Sequence, residues 1–261
     1  MMGLKKMIRD GETVLGCWLN LGSSITAEIV GQAGFDWVLI DIEHGAGSEQ
    51  DLLHQLQALE HTPAAPVVRV ESYERQRFHR ALDLGAEGIM CPQVRNIKEA
   101  IIAADALHYP PTGTRGIAKM IRASGFGTKF DEYQQDSVDN IIGILQIETV
   151  DILNCLDEVA NLEAIDVLFI GPSDLSMALG VFGEFDHPRF IEAVTDTVKA
   201  ASKAGKATGI LLSSPKDFQK YHQMGIRVIA CGADGVFVNQ GARNTLAELI
   251  SEKNVSESAR T

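Results

Sequence analysis

The feature that most constrains this chain is an alternation of short apolar runs with segments of helical spacing, sustained along nearly its whole length. Runs rich in Val, Ile and Leu occupy 14–19, 37–41, 66–70, 88–92, 141–147, 167–170, 207–212 and 227–231. Between them apolar residues recur at intervals of three and four. Leu52, Leu53, Leu56 and Leu59 do so behind a Ser48-x-x-Asp51 capping pattern, and Phe190, Ile191, Val194, Val198 and Ala201 form a second such face. Strands that are apolar at almost every position are buried on both faces, the condition of a parallel sheet covered by helices. Eight such units predict one α/β domain, a closed (β/α)8 TIM barrel over residues 1–252. A doubly wound open sheet is the weaker alternative, because no GxGxxG follows the first run.

Two segments stand outside the repeat. Residues 108–135 carry Tyr109-Pro110-Pro111-Thr112-Gly113 and then Arg115-Gly116, and a loop of that length in a compact domain is expected to be functional or an interface element. The polar tail 253–261 is expected to fray.

With 261 residues, 45% of them apolar, the chain is long enough to bury a large core, which excludes disorder for most of it. Its net charge of −12 excludes nucleic acid or an anionic membrane as the main partner unless a basic patch intervenes. The longest basic cluster, Lys5 and Lys6 with Arg9, is too small for that. No apolar run approaches the roughly 18 residues of a membrane span, and residues 1–16 lack a signal core, so a cytoplasmic protein is expected. Cys17, Cys91, Cys155 and Cys231 match no CxxC spacing and read as free thiols rather than a zinc or redox site.

In a barrel of this kind chemistry collects at the C-terminal ends of the strands, so the polar residues that end apolar runs are the candidates. The second run leads into Asp41, Glu43 and His44, the third contains Arg69, the fifth leads through Gln146 to Glu148, and the sixth is followed by Ser173 and Asp174. Glu148 and Asp174 follow adjacent strands, where two carboxylates can share a hard divalent cation such as Mg2+ or Mn2+. The plainer alternative is that both are helix-terminal acids. The helix opening at Ser173 and Asp174 also offers free N–H groups to a substrate carboxylate. His44 alone of seven histidines directly follows a predicted strand, and its side-chain type suits general acid or base work near neutral pH. Two roles are open to Arg69, pairing a structural carboxylate or binding a substrate oxyanion. No lysine ends a strand, which argues against a Schiff-base mechanism and leaves metal-assisted enolisation of a 2-oxo acid.

These residues together resemble the HpcH/HpaI family of metal-dependent (class II) 2-oxo acid aldolases, which are (β/α)8 barrels. The similarity spans residues 16–235 and rests on several blocks. These are Gly34-Phe35-Asp36-Trp37 leading to Asp41-Ile42-Glu43-His44, Val67-Val68-Arg69, Ala81-Leu82-Asp83-Leu84-Gly85-Ala86, Tyr109-Pro110-Pro111 with Arg115-Gly116, Gln146-Ile147-Glu148-Thr149, and Phe169-Ile170-Gly171-Pro172-Ser173-Asp174-Leu175. The resemblance implies cleavage of a 4-hydroxy-2-oxo acid to pyruvate and an aldehyde, or the reverse, through a pyruvate enolate stabilised by Mg2+, Mn2+ or Co2+. It implies Glu148 and Asp174 as metal ligands, His44 as the proton acceptor, Arg69 as the group stabilising the enolate oxygen, and Gln146 and Ser173 as substrate contacts. It also implies that Asp83 raises the basicity of the histidine. The helix ending at Gly85 should place Asp83 at the opposite end of the barrel, so a neighbouring subunit would have to supply it, and Asp41 is the nearer orienting candidate. Family members resemble one another in forming hexamers that exchange the last helix between subunits, so a homo-oligomer is implied here. Residues 125–128 depart from the family's bulkier pattern, at the acceptor pocket. The alternatives are an acyl-CoA or other metal-enolate lyase of the same barrel type, a sugar-phosphate isomerase or lyase, and a non-catalytic binding barrel.

Overall fold

All eight apolar runs form strands of one closed parallel barrel, in which each strand pairs with the next and the last with the first. The computed structural model describes residues 3–258. In chain order the elements begin with α1 (Leu4–Arg9), β1 (Val14–Leu19), α2 (Ser24–Gln32), β2 (Trp37–Asp41), α3 (Glu49–Leu59), β3 (Ala65–Arg69) and α4 (Arg75–Leu84). They continue through β4 (Gly88–Cys91), α5 (Ile97–Leu107), α6 (Phe130–Asn140), β5 (Ile142–Ile147), α7 (Leu156–Ala160), β6 (Val167–Ile170) and α8 (Pro172–Ala178). The described chain is completed by α9 (Pro188–Lys203), β7 (Ala207–Leu212), α10 (Phe218–Gln223), β8 (Val228–Ala233) and α11 (Asp234–Ser258).

Side chains alternate across each strand. One set, including Val14, Trp18, Trp37, Leu39, Val67, Met90, Ile144, Phe169 and Ala230, forms a single buried cluster that fills the barrel. The other set, including Val38, Ile40, Val68, Ile89, Leu145 and Leu168, packs outward against Leu52, Leu56, Phe78 and Ala103 of the surrounding helices. Trp18, Trp37 and Phe169 meet at ring-centre distances of 5.6 to 6.1 Å, in tilted and edge-on arrangements. Two glycines make room for them: a Cβ at Gly16 would lie 2.1 Å from a Trp37 ring carbon, and one at Gly209 would lie 2.3 Å from a Phe169 ring carbon.

Helix α1 packs Leu4 and Ile8 into this same interior cluster. Lys5 is buried with them, and its Nζ donates to the carbonyl of Ile141 and lies 3.0 Å from Asp166 Oδ2, so the charge has both a carboxylate and a backbone acceptor. The capping box expected ahead of α3 is present: Ser48 Oγ accepts from the Asp51 N–H, and Asp51 Oδ2 accepts from the Ser48 N–H.

Two boundaries differ from expectation. Residues 108–135 are not irregular throughout, because α6 begins at Phe130, with Asp131 and Glu132 in its first turn where the helix dipole favours acids. Strand β8 runs on to Ala233, since a register shift between Gly16 and Trp18 of β1 absorbs an extra residue. Helix α11 includes residues 253–258 of the polar tail, and 259–261 lie outside the described residues. Helix α11 leaves Phe237, Leu246, Leu249, Ile250 and Val255 exposed. No helix among the described residues is long and apolar enough to cross a membrane.

Candidate active site

The barrel's interior rows change character at their C-terminal ends. Along β2 the row runs Trp37, Leu39, Asp41; along β3 it runs Ala65, Val67, Arg69; along β5 it runs Ile142, Ile144, Gln146 and then Glu148 just past the strand. The period of two that packs the interior therefore also carries these four polar side chains into the mouth of the barrel, above the Trp18 and Phe169 rings. Asp41, Arg69, Gln146 and Glu148 are all buried.

Arg69 is held at three points. Its Nε donates to Asp41 Oδ1 at 3.0 Å, its Nη2 to Asp41 Oδ2 at 2.6 Å, and its Nη1 lies 3.1 Å from Glu43 Oε2. Burial works against the guanidinium charge, but the bonds to Asp41 and the charge of Glu43 outweigh it and hold the pKa above the ordinary arginine value. Asp41 Oδ1 also accepts the backbone N–H groups of Glu43 and His44, each at 3.1 Å, so the same carboxylate shapes the turn that carries the histidine. The far side of that turn is tied by the Ala46 N–H to the Asn20 carbonyl at 2.9 Å.

His44 stands at the rim with 67% of its side chain exposed, and its Nε2 lies 3.7 Å from Glu43 Oε1, beyond hydrogen-bond range. Asp41 thus reaches His44 through the backbone, not through the ring. Asp83 is far from this cluster along the fold. It sits in the last turn of α4, which runs antiparallel to the strands and ends at the opposite mouth, and its Oδ1 accepts from Arg115 Nη2 at 2.7 Å. Arg115 is itself buried, stacked 4.5 Å from the Tyr109 ring centre and bonded to Tyr133 Oη. The long segment after α5 is thus anchored to α4 by this arginine.

Glu148 is 2% exposed and has three donors around it. Its Oε1 accepts from the Gln93 backbone N–H at 2.7 Å and from Gln93 Nε2 at 3.1 Å, while Oε2 accepts from Gln146 Nε2 at 2.5 Å. Burial, opposed by the Gln93 N–H and joined by the charges of Asp174 and Glu43, pushes the Glu148 carboxyl up to about 7. Glu43 is raised too, first by burial, with Arg69 and His44 opposing. Ser173 and Asp174 are exposed in the first turn of α8, where Pro172 occupies a position whose N–H would have no helical partner. Gly171, just before it, keeps the site open: a Cβ there would lie 2.7 Å from both Glu148 Oε2 and Gln146 Nε2.

Whether these residues suit a divalent cation is decided by their donors. Among the described residues no group of three or more His, Cys, Asp or Glu side chains is arranged to hold a metal. A hard cation needs oxygens, and two carboxylates with water or substrate in the remaining positions suffice for Mg2+ or Mn2+. Glu148 and Asp174 supply the carboxylates and repel each other without a counter-charge, and buried Gln146 Oε1 beside them has no partner. The donor set fits. No lysine competes for the role of covalent catalyst, since Lys5, the buried lysine among the described residues, lies at the other end of the barrel.

Two residues of the site carried no assigned role from sequence. Glu43 was visible as a strand-end charge, and it proves to bridge Arg69 and the neighbourhood of His44. Gln93 follows the fourth apolar run with no charge and no recognisable motif to mark it. Its one signal is position, as the second residue beyond β4.

A family model described as HpcH/HpaI aldolase/citrate lyase matches residues 14–240. The chain is 39% identical over 231 residues to the hydroxypyruvate/pyruvate aldolase of Agrobacterium fabrum, covering 88% of this chain and 86% of that protein. It is 39% identical over 243 residues to the 2-dehydro-3,6-dideoxy-6-sulfogluconate aldolase of Pseudomonas putida, covering 93% and 95% respectively. The crystal structure of an HpcH/HpaI aldolase/citrate lyase family protein from Burkholderia cenocepacia superposes with a TM-score of 0.89 at 35% identity, covering 94% of this chain and 98% of that one.

Proposed function

The chain belongs to the HpcH/HpaI aldolase/citrate lyase family, and from that premise we propose that it is a class II aldolase, cleaving a 4-hydroxy-2-oxo acid to pyruvate and an aldehyde or joining the two. The observation that carries the reading is Glu148: a buried carboxylate at the mouth of the barrel, crowded by like charge from Asp174 and Glu43, with the Arg69 guanidinium near enough to oppose that charge. Glu148 and Asp174 would hold a Mg2+, Mn2+ or Co2+ ion, which when bound supplies Lewis acidity toward the 2-oxo carbonyl.

The remaining roles fall to the chain's own groups. A guanidinium has five N–H donors, and three of those of Arg69 are spent on Asp41 and Glu43, which leaves donors for the enolate oxygen. In cleavage the C3–C4 bond breaks, its electron pair passes to the enolate, the C4 hydroxyl loses its proton as the aldehyde departs, and a proton returned to C3 gives pyruvate. His44, exposed at the rim, moves the proton at C3, taking it from the methyl group in synthesis. Gln146 and Ser173 orient the 2-oxo acid. Asp41 holds the His44 turn through its backbone. Asp83 can serve His44 only from a neighbouring subunit, because within one chain it lies at the other mouth, bonded to Arg115.

An oligomer, a hexamer by family resemblance, follows from the same reading. Exposed Ile25 and Ile29 on α2 and the apolar side chains along α11 support exchange of that helix between subunits. The net charge of −12 supports small-molecule substrates, and a cytoplasmic location is part of the proposal. The test is a pyruvate-release screen over sugar-acid and dicarboxylic 4-hydroxy-2-oxo acids with added Mg2+, Mn2+ or Co2+. Activity on at least one is expected, and its loss on chelation.

A further inference from the structure

Gln93 holds its backbone at φ +56°, in the left-handed region, one of two non-glycine residues to do so among those described. A glutamine gains nothing intrinsic from that conformation, which disfavours any side chain with a Cβ. What the conformation achieves here is convergence. The backbone N–H and the side-chain amide of one residue both reach the same atom, Glu148 Oε1, at 2.7 and 3.1 Å.

A carboxylate oxygen has two lone pairs, so Oε1 is fully occupied by Gln93. On the other oxygen, Gln146 Nε2 takes one position, leaving one free lone pair on Oε2. That oxygen borders the space kept open by Gly171, where a Cβ would intrude to 2.7 Å. Taking Glu148 as a metal ligand, which rests on the function proposed above, we infer that Gln93 is a positioning residue that makes Glu148 a one-oxygen ligand. Gln93 takes up Oε1 and leaves Oε2 presented toward the space beside Gly171. Without its side-chain amide the carboxylate is free to turn, and part of the preorganisation for the cation is lost.

The two consequences of shortening this residue have opposite signs, which separates positioning from a merely structural role. Gln93→Gly keeps the backbone N–H, removes the amide and relieves the backbone conformation, so the chelated protein should melt at a higher temperature than wild type. The same variant should bind Mn2+ about 10- to 100-fold more weakly, the scale for losing a partner of a ligating group. Gln93→Asn tolerates left-handed backbone, and its shorter amide falls short of Oε1, so it should show the same loss. The measurement is a calorimetric Mn2+ titration of each chelated protein without substrate, with Glu148→Ala in parallel. Weakened binding in both Gln93 variants, together with loss in Glu148→Ala, supports the inference. Wild-type affinity in both Gln93 variants while Glu148→Ala loses Mn2+ overturns the role of Gln93 alone. Wild-type affinity in Glu148→Ala overturns the ligand assignment and the inference with it.

Discussion

Arg69 and Asp41 are locked together by two parallel bonds, Nε to Oδ1 at 3.0 Å and Nη2 to Oδ2 at 2.6 Å, on neighbouring strands whose register places them side by side. The two roles open to this arginine on sequence grounds therefore do not exclude each other. The ion pair is structural, fixing the planar fork in one orientation, and in the proposed reaction that orientation would present the unspent N–H groups to a substrate oxygen.

Arg69→Ala should act on both stability and rate. Removing one partner of a buried pair leaves Asp41 uncompensated and costs about 3–5 kcal/mol of stability, and turnover should fall by about 10²- to 10³-fold. Arg69→Lys separates the effects, because the charge remains and the fork is lost. Its unfolding midpoint should fall less, while turnover should fall nearly as far. Wild-type turnover in Arg69→Lys would show that a point charge suffices.

The raised pKa of Glu148 gives a pH dependence of definite sign. Its carboxyl moves from an ordinary value of 4.5 to about 7 on folding, so the folded state binds the proton more tightly. Stability from this group is complete below pH 4.5 and is lost as the pH rises through 7. Chelated protein should therefore melt lower at pH 8 than at pH 6, and Glu148→Gln should flatten that difference. Metal affinity should rise over the same interval, since the proton must leave first. An equal wild-type and Glu148→Gln pH dependence of melting would remove Glu148 as its source.

Gly16→Ala tests the interior packing. The added methyl would lie 2.1 Å from the Trp37 ring, with backbone on one side and Phe169 beyond the indole on the other. Overpacking of this kind costs about 1–3 kcal/mol. Urea denaturation should show a lower midpoint with an unchanged slope, and an unchanged midpoint would mean that the aromatic cluster has room to shift.

Much of this was legible because the same period of two serves both packing and chemistry. Asp41, Arg69 and Gln146 are the polar ends of rows whose earlier members are Leu39, Val67 and Ile144, so a strand reading leads straight to them. Gln93 was not legible, because its importance lies in a left-handed backbone and two bonds to a residue 55 positions away, which no local pattern reveals. The Asp83–Arg115 pair was hidden for a similar reason, since it depends on the path of the segment between α5 and α6. Helix α6 was masked by its own composition, a polar stretch from Phe130 to Asn140 in which only Ser137 is buried.

The most direct test of the central claim, that the pyruvate enolate is made with a divalent cation and a histidine base, is exchange of the pyruvate methyl protons into deuterated water, followed by proton NMR. Loaded wild-type protein should exchange them, and His44→Ala should do so about 10²- to 10⁴-fold more slowly, the contribution of a general base. After exhaustive chelation the wild-type rate should fall to that of buffer and return on adding Mn2+. Exchange that survives chelation would contradict the claim.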